Sequence, residues 1–270
     1  MPLTPTRPTV RMSPEPVDPD DFRTWDDHWN RFSAATRLNP AQAFRRRLIV
    51  RLLGRAENGT ILDIGCGSGD LLAGIRDEFP EARLAGIDQS GTGLTVARGE
   101  LPDATLATFD LNAGLAADEK LAGWASHAVC SEVLEHMDAP VRVLATVRNF
   151  LKPGGRLVLT VPGGPMSAFD RRIGHRDHYT AARLRDELEA AGYLVETATG
   201  AGFPFFNLYR LVVVLRGERL ADDIDGTPGR LARTVMTVFR YLLRVTLPAS
   251  PWGWQIVAVA INPGPGGSAE

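Results

Sequence analysis

Short apolar runs alternate with helix-like stretches along residues 60–200 of this chain. Thr60–Ile64, Arg83–Asp88, Ala104–Phe109, Ser126–Ser131 and Arg156–Val161 read as strands. Asp70–Phe79, Thr92–Gly99, Pro140–Leu151 and Thr180–Ala191 read as helices between and after them. Such alternation predicts an α/β fold, a parallel sheet with helices on both faces. Upstream, residues 21–54 are expected to form a helical cap. Trp25 and Trp29 share a helical face there, and a helix over Pro40–Leu53 has Asn39 as its cap and Pro40 at its first position. Downstream, Tyr193–Thr199 and Trp254–Ile261 read as strands six and seven. The roughly 50 residues between them are too many for a hairpin loop, so 203–250 is expected to be a helical insertion. It holds Pro204–Tyr209, the apolar run Leu211–Leu215 and a basic amphipathic helix from Arg230 to Leu247. The predicted organisation is a tail (1–20), the cap (21–54), a core (55–202), the insertion (203–250), a last core strand (251–262) and a second tail (263–270).

Composition narrows the class. The 270 residues are 44% hydrophobic, enough for one sizeable core, and the net charge of −2 gives no reason to expect a nucleic-acid partner. Cys66 and Cys130, the only cysteines, sit within or just after core strands. No disulfide is expected of them, and two thiols are too few for a structural zinc site. The first twenty residues hold six prolines and no apolar segment of the secretory kind. No apolar run reaches the ~18 residues of a spanning helix. A cytoplasmic protein is expected, with peripheral contact at the inner face of the membrane through 230–247. Arg230, Arg233, Arg240 and Arg244 share one side of that helix, and Val235, Val238, Phe239, Leu242 and Leu243 lie largely elsewhere. The same apolar insertion could instead form a dimer surface or line an acceptor pocket.

The chemistry concentrates at strand ends. Leu62-Asp63-Ile64-Gly65-Cys66-Gly67-Ser68-Gly69-Asp70 ends a strand on an acid, runs through alternate glycines and opens a helix. Backbone can approach a nucleotide-like ligand closely there. Asp88 ends strand two, where a carboxylate suits bidentate bonds to ribose hydroxyls, with Gln89 beside it. Phe109-Asp110-Leu111 follows strand three; the acid suits an adenine amino group and its neighbours can flank the ring.

The glycine loop resembles motif I of the class I S-adenosylmethionine-dependent methyltransferases. Leu151-Lys152-Pro153-Gly154-Gly155-Arg156 and Cys130-Ser131-Glu132-Val133-Leu134-Glu135-His136-Met137 resemble that family's segments before strand five and after strand four. The resemblance covers about residues 58–200 and is similar to the ubiquinone-pathway O-methyltransferases. It implies a seven-stranded Rossmann-like sheet whose last strand is antiparallel, and methyl transfer from S-adenosylmethionine to a small-molecule acceptor, most readily at oxygen. It also implies cofactor contacts from Asp63, Gly65, Cys66, Gly67, Ser68, Gly69, Asp88, Gln89, Asp110, Leu111 and Ser131. His136 is the first candidate for the base that takes the acceptor proton, and His175, His178 and Tyr179 are the second.

If Glu132, Glu135 and His136 lie on one helix, they share a face and resemble a divalent-metal set completed by a histidine of Gly174–Tyr179. The metal-free alternative is that Leu-Glu-His orders the loop beneath the transferred methyl, and no metal is assigned. Two rival functions remain open. One is a module that binds S-adenosylmethionine without catalysis. The other is a nicotinamide-dependent oxidoreductase, which would not need Asp110 and whose pyrophosphate favours a longer glycine spacing.

Overall fold

The computed structural model describes Asp26 and residues 39–113, 120–216 and 230–265, with backbone alone at 230–233. The expected tail at 1–20, Trp25 and Trp29, the last five residues, and the side chains of Arg230 and Arg233 lie outside the described residues. The strands are β1 (Thr60–Ile64), β2 (Arg83–Asp88), β3 (Thr105–Thr108), β4 (Ala125–Ser131), β5 (Leu151–Pro162), β6 (Leu194–Ala201) and β7 (Gln255–Ile261). The helices are α1 (Pro40–Leu53), α2 (Asp70–Glu78), α3 (Gly91–Glu100), α4 (Pro140–Arg148), α5 (Ala168–Arg172), α6 (Ala181–Ala190), α7 (Phe205–Arg216) and α8 (Arg230–Leu242).

All seven strands join one sheet in the order β3-β2-β1-β4-β5-β7-β6. The first five are parallel, and β7 lies antiparallel between β5 and β6. Every residue of β1 is buried, as a strand covered on both faces requires. One face packs Leu144, Phe150, Leu184 and Leu188; the other packs Ile49, Leu53, Leu72, Ile75 and Leu94. A third cluster joins α1 to the insertion through Phe44, Leu48, Phe206 and Leu243. The Asn39 side chain accepts from the Ala41 amide (2.9 Å), as its capping position predicts, and also from the Tyr209 hydroxyl (3.0 Å).

Three boundaries depart from the sequence reading by more than two residues, and one short helix is added to it. β5 begins at Leu151, because Leu151 pairs with Ala125 before the ladder resumes at Arg156. α4 correspondingly stops at Arg148, short of the expected Leu151. The short helix α5 was not expected; Ser167 and Asp170 cap it reciprocally. The last insertion helix ends at Leu242 rather than Leu247.

β6 and β7 remain neighbours despite the long connection. Ala201 and Gln255, the residues where the insertion leaves and rejoins the sheet, face each other in the ladder. Among the described residues no helix is long and apolar enough to cross a membrane.

Candidate active site

The strand order reverses between β1 and β4, so a crevice opens beyond their carboxyl ends, the place where open α/β sheets take ligands. The glycine loop forms its floor. Gly65 and Gly69 have φ of 75° and 81°, a backbone region costly for other residues. A Cβ on Gly65 would lie 2.5 Å from Val133 Cγ2, so the loop is pressed against the segment after β4. The Gly65 and Cys66 amides are spent on the Ile87 carbonyl (2.8 and 3.1 Å). The Cys66 side chain packs in the core and burial pushes its thiol pKa up, leaving only its backbone for a ligand. Ser68 is buried, and its hydroxyl donates to Asp70 at the start of α2 (3.1 Å).

Two carboxylates sit in this crevice. Asp88 accepts from the Gly67 amide (2.8 Å) and the Ser90 amide (2.8 Å), which fixes both of its oxygens. Burial raises its pKa despite these bonds. Asp63 is buried, and no group among the described residues donates to its carboxyl. Burial, then the charge of Asp88, pushes its pKa up to about 7. Two desolvated acids behind a close-approach glycine loop fit a ligand that brings positive charge and hydroxyl donors, which S-adenosylmethionine does. Such a ligand favours ionised Asp63. Its affinity is therefore expected to fall as pH drops below about 7 and to level off above it, with proton release on binding near neutrality. Titration calorimetry in buffers of different ionisation enthalpy would measure this; pH-independent affinity between 6 and 8 would contradict the Asp63 contact.

The remaining expected cofactor residues differ in placement. Gln89 and Asp110 are exposed, and Asp110 accepts from the Asn112 amide in its own turn (2.8 Å). Leu111 and Phe109 belong to the core, with Phe109 edge-on to Phe150. The Ser131 and Thr160 hydroxyls hydrogen-bond each other (2.8 Å). One contact escaped the sequence reading. Asp26 accepts from the Ser90 hydroxyl (2.5 Å) and the Thr92 amide (3.0 Å), which places its carboxylate at the start of α3 beside Asp88.

On the other side of the crevice the three expected histidines come together. His136 and His175 are edge-to-face with ring centres 4.8 Å apart, and His175 Nδ1 is 3.3 Å from His178 Nε2. His178 Nδ1 lies 3.1 Å from the Gly164 carbonyl, which can only accept. His178 therefore carries its proton on Nδ1, His175 donates to it from Nδ1, and His175 Nε2 is left with a lone pair. Burial, with His136 and His178 nearby, holds the His175 pKa at about 3; burial also lowers that of His178. Both rings are neutral at physiological pH.

Behind them stands Glu135, 1% exposed, with no hydrogen-bond partner among the described residues for either carboxyl oxygen and Oε1 4.0 Å from His175 Nε2. Burial, then the charge of Glu132, raises its pKa well above the usual range. The expected single face of Glu132, Glu135 and His136 does not form. Glu132 has φ of 58°, and only Leu134–His136 make a helical turn. Glu132 instead pairs with Arg45 (3.0 Å) and accepts from Gln255 (2.9 Å). Glu135, His136 and His175 still bring three ligand atoms within 4.8 Å of one another. One carboxylate without partners and two imidazoles fit a borderline divalent cation.

Asp170 closes the back of the cluster and receives Arg210 through two bonds, of 2.8 and 3.2 Å. Burial would raise its pKa, but the Arg210 bonds and charge, helped by Ser167, hold it at about 2. The depressed value contributes stability above the unfolded carboxylate range and loses it as pH falls through about 2. Arg210→Leu is expected to cost about 3–5 kcal/mol at pH 7 by stranding the buried acid, and less at pH 4, because an acid buried without its guanidinium takes up a proton as pH falls. Chemical denaturation at pH 7 and 4 would show it; a cost under about 1 kcal/mol at pH 7 would mean that the pair is solvated.

Comparison with known proteins matches this geometry to a family. Residues 37–198 match the family model described as a methyltransferase domain. The chain is 28% identical over 209 residues to a ubiquinone biosynthesis O-methyltransferase of Marinobacter nauticus, covering 69% of this chain and 84% of that protein. It is 28% identical over 230 residues to a trans-aconitate 2-methyltransferase of Deinococcus radiodurans, covering 84% and 76%. Among solved structures, Haemonchus contortus phosphoethanolamine N-methyltransferase 2 with S-adenosyl-L-methionine shares the fold at TM-score 0.60 and 16% identity, over 89% of this chain and 60% of that one. The chain belongs to the methyltransferase domain family and is an S-adenosylmethionine-dependent methyltransferase.

Proposed function

We propose that the chain methylates a hydroxyl of a small apolar or lipid-linked acceptor, with His136 as the base. The observation that carries this reading is the cluster of His136, His175 and His178 beyond β4 and β5, with His175 and His178 held neutral by burial. An imidazole is the side chain whose ordinary pKa range suits proton removal from a hydroxyl near neutral pH. When bound, S-adenosylmethionine supplies an electrophilic methyl on a cationic sulfur. Asp63 is assigned to the amino-acid end, Asp88 to the ribose and Asp110 to the adenine amino group. The glycine loop lets the ligand lie against backbone, and alignment of acceptor oxygen with methyl carbon supplies much of the rate. His175, fixed through His178 and Gly164, orients the His136 ring edge-on. The insertion, packed on α1 through Phe206 and Leu243, is assigned to the acceptor side.

A metal-assisted version is favoured by one observation, the buried Glu135 carboxyl beside His136 and His175, which has no hydrogen-bond partner among the described residues. These three residues would hold a divalent cation, which would acidify the acceptor hydroxyl.

The test supplies methyl-labelled cofactor with a panel of apolar phenols, lipid-linked sugars and amines, with and without chelator. Labelled ethers are the expected product. Label only on amines, or cofactor binding with no transfer to any hydroxyl, would overturn the reading. Full turnover in chelator would remove the cation and leave His136 as the base.

A further inference from the structure

We propose that the outer face of the insertion docks the protein on an anionic lipid bilayer. Nine of the eleven exposed large hydrophobic residues among those described fall between Leu208 and Trp252. They are arranged, not scattered. On α7, Leu208, Leu211 and Leu215 recur at helical spacing and are 47%, 40% and 78% exposed, whereas Phe206 and Val213 turn inward. On α8 and the turn after it, Val235, Val238, Tyr241 and Val245 form a second outward stripe, opposite the buried Phe239 and Leu243. Leu247 and Trp252 extend the patch. The two helices pack on each other through Tyr209 and Phe239, and exposed apolar stripes on neighbouring helices of a folded chain mark an interaction site.

Charge selects the occupant. Arg216, Arg240 and Arg244 are exposed around the stripes, and the Arg244 guanidinium lies 5.3 Å from the Tyr241 ring. Residues 205–216 and 230–254 contain no aspartate or glutamate. The acidic residues of the insertion, Glu218, Asp222, Asp223 and Asp225, all lie between the helices in 217–229, outside the described residues. Apolar stripes edged by arginine, with a tryptophan at the border, match a surface that offers hydrocarbon beneath anionic headgroups. A second copy of this chain would meet the stripes but would set arginine against arginine.

The same helix reaches the active site from its inner side. Arg210 turns inward to Asp170, next to the loop that carries His175 and His178, while Leu208, Leu211 and Leu215 face out. Docking would therefore hold the histidine cluster near the bilayer. The proposal goes beyond the acceptor reading and does not need it, so vesicle binding and methyl transfer are measured separately.

The full chain would be sedimented with vesicles of phosphatidylcholine alone and of phosphatidylcholine with about one third phosphatidylglycerol. Binding to the anionic vesicles only, weakened by salt, is expected. The double variants Leu215→Glu/Val238→Glu and Arg240→Glu/Arg244→Glu are each expected to bind at least about tenfold more weakly, with S-adenosylmethionine affinity unchanged as the control for folding. No sedimentation with either vesicle overturns the proposal. So does a dimer in light scattering that Leu215→Glu/Val238→Glu converts to monomer, which would make the patch a subunit interface.

Discussion

Asp88→Ala is expected to weaken S-adenosylmethionine binding by more than about 1.4 kcal/mol, tenfold in Kd. The Gly67 and Ser90 amides clamp the carboxylate from two sides at 2.8 Å, so its remaining lone pairs have fixed directions. Two ribose hydroxyls donating to an acid already desolvated form charge-assisted bonds, and the variant loses both. It also frees the Gly67 amide, which loosens the loop that the ligand lies against. Titration calorimetry of a variant with native melting behaviour makes the comparison. Unchanged affinity would remove Asp88 from the ribose role and reopen the assignment of Asp63.

His136→Ala is expected to lower kcat by about 10²–10⁴, with little change in cofactor Kd or acceptor KM. The base acts as the acceptor oxygen attacks, so its loss is felt in the transition state rather than in binding. The variant opens space beside His175 but leaves the His175–His178–Gly164 chain intact, so the loop should keep its shape. A kcat within twofold of wild type would dismiss His136 as the base.

The sheet was legible because each core strand is a short apolar run ending in a residue with its own chemistry. Asp63, Asp88 and the glycines could be placed from position alone, since the carboxyl ends of parallel strands share one edge. Regions where backbone geometry departs from periodicity were not legible. Nothing in Glu-x-x-Glu-His announces the left-handed Glu132 that sends one acid to Arg45 and leaves the other buried. α5 did carry a signal, because Ser167 and Asp170 are spaced as a capping box, but five residues are too few for a periodic pattern. Contacts across long separations, Arg210 with Asp170 and Asp26 with Ser90, depend on packing that local pattern does not encode.

The facing of Ala201 and Gln255 across the β6–β7 ladder has an evolutionary consequence. A segment whose two ends are ladder neighbours is a cassette: a different one could be hung from the same hairpin without moving a strand. On the roles proposed for the insertion, acceptor choice and surface attachment would be exchanged in one genetic event while the cofactor half, on the far side of the strand switch, is inherited unchanged. The exchange carries one condition. Any replacement must present a cation to Asp170, or the histidine loop it braces is left with a buried charge.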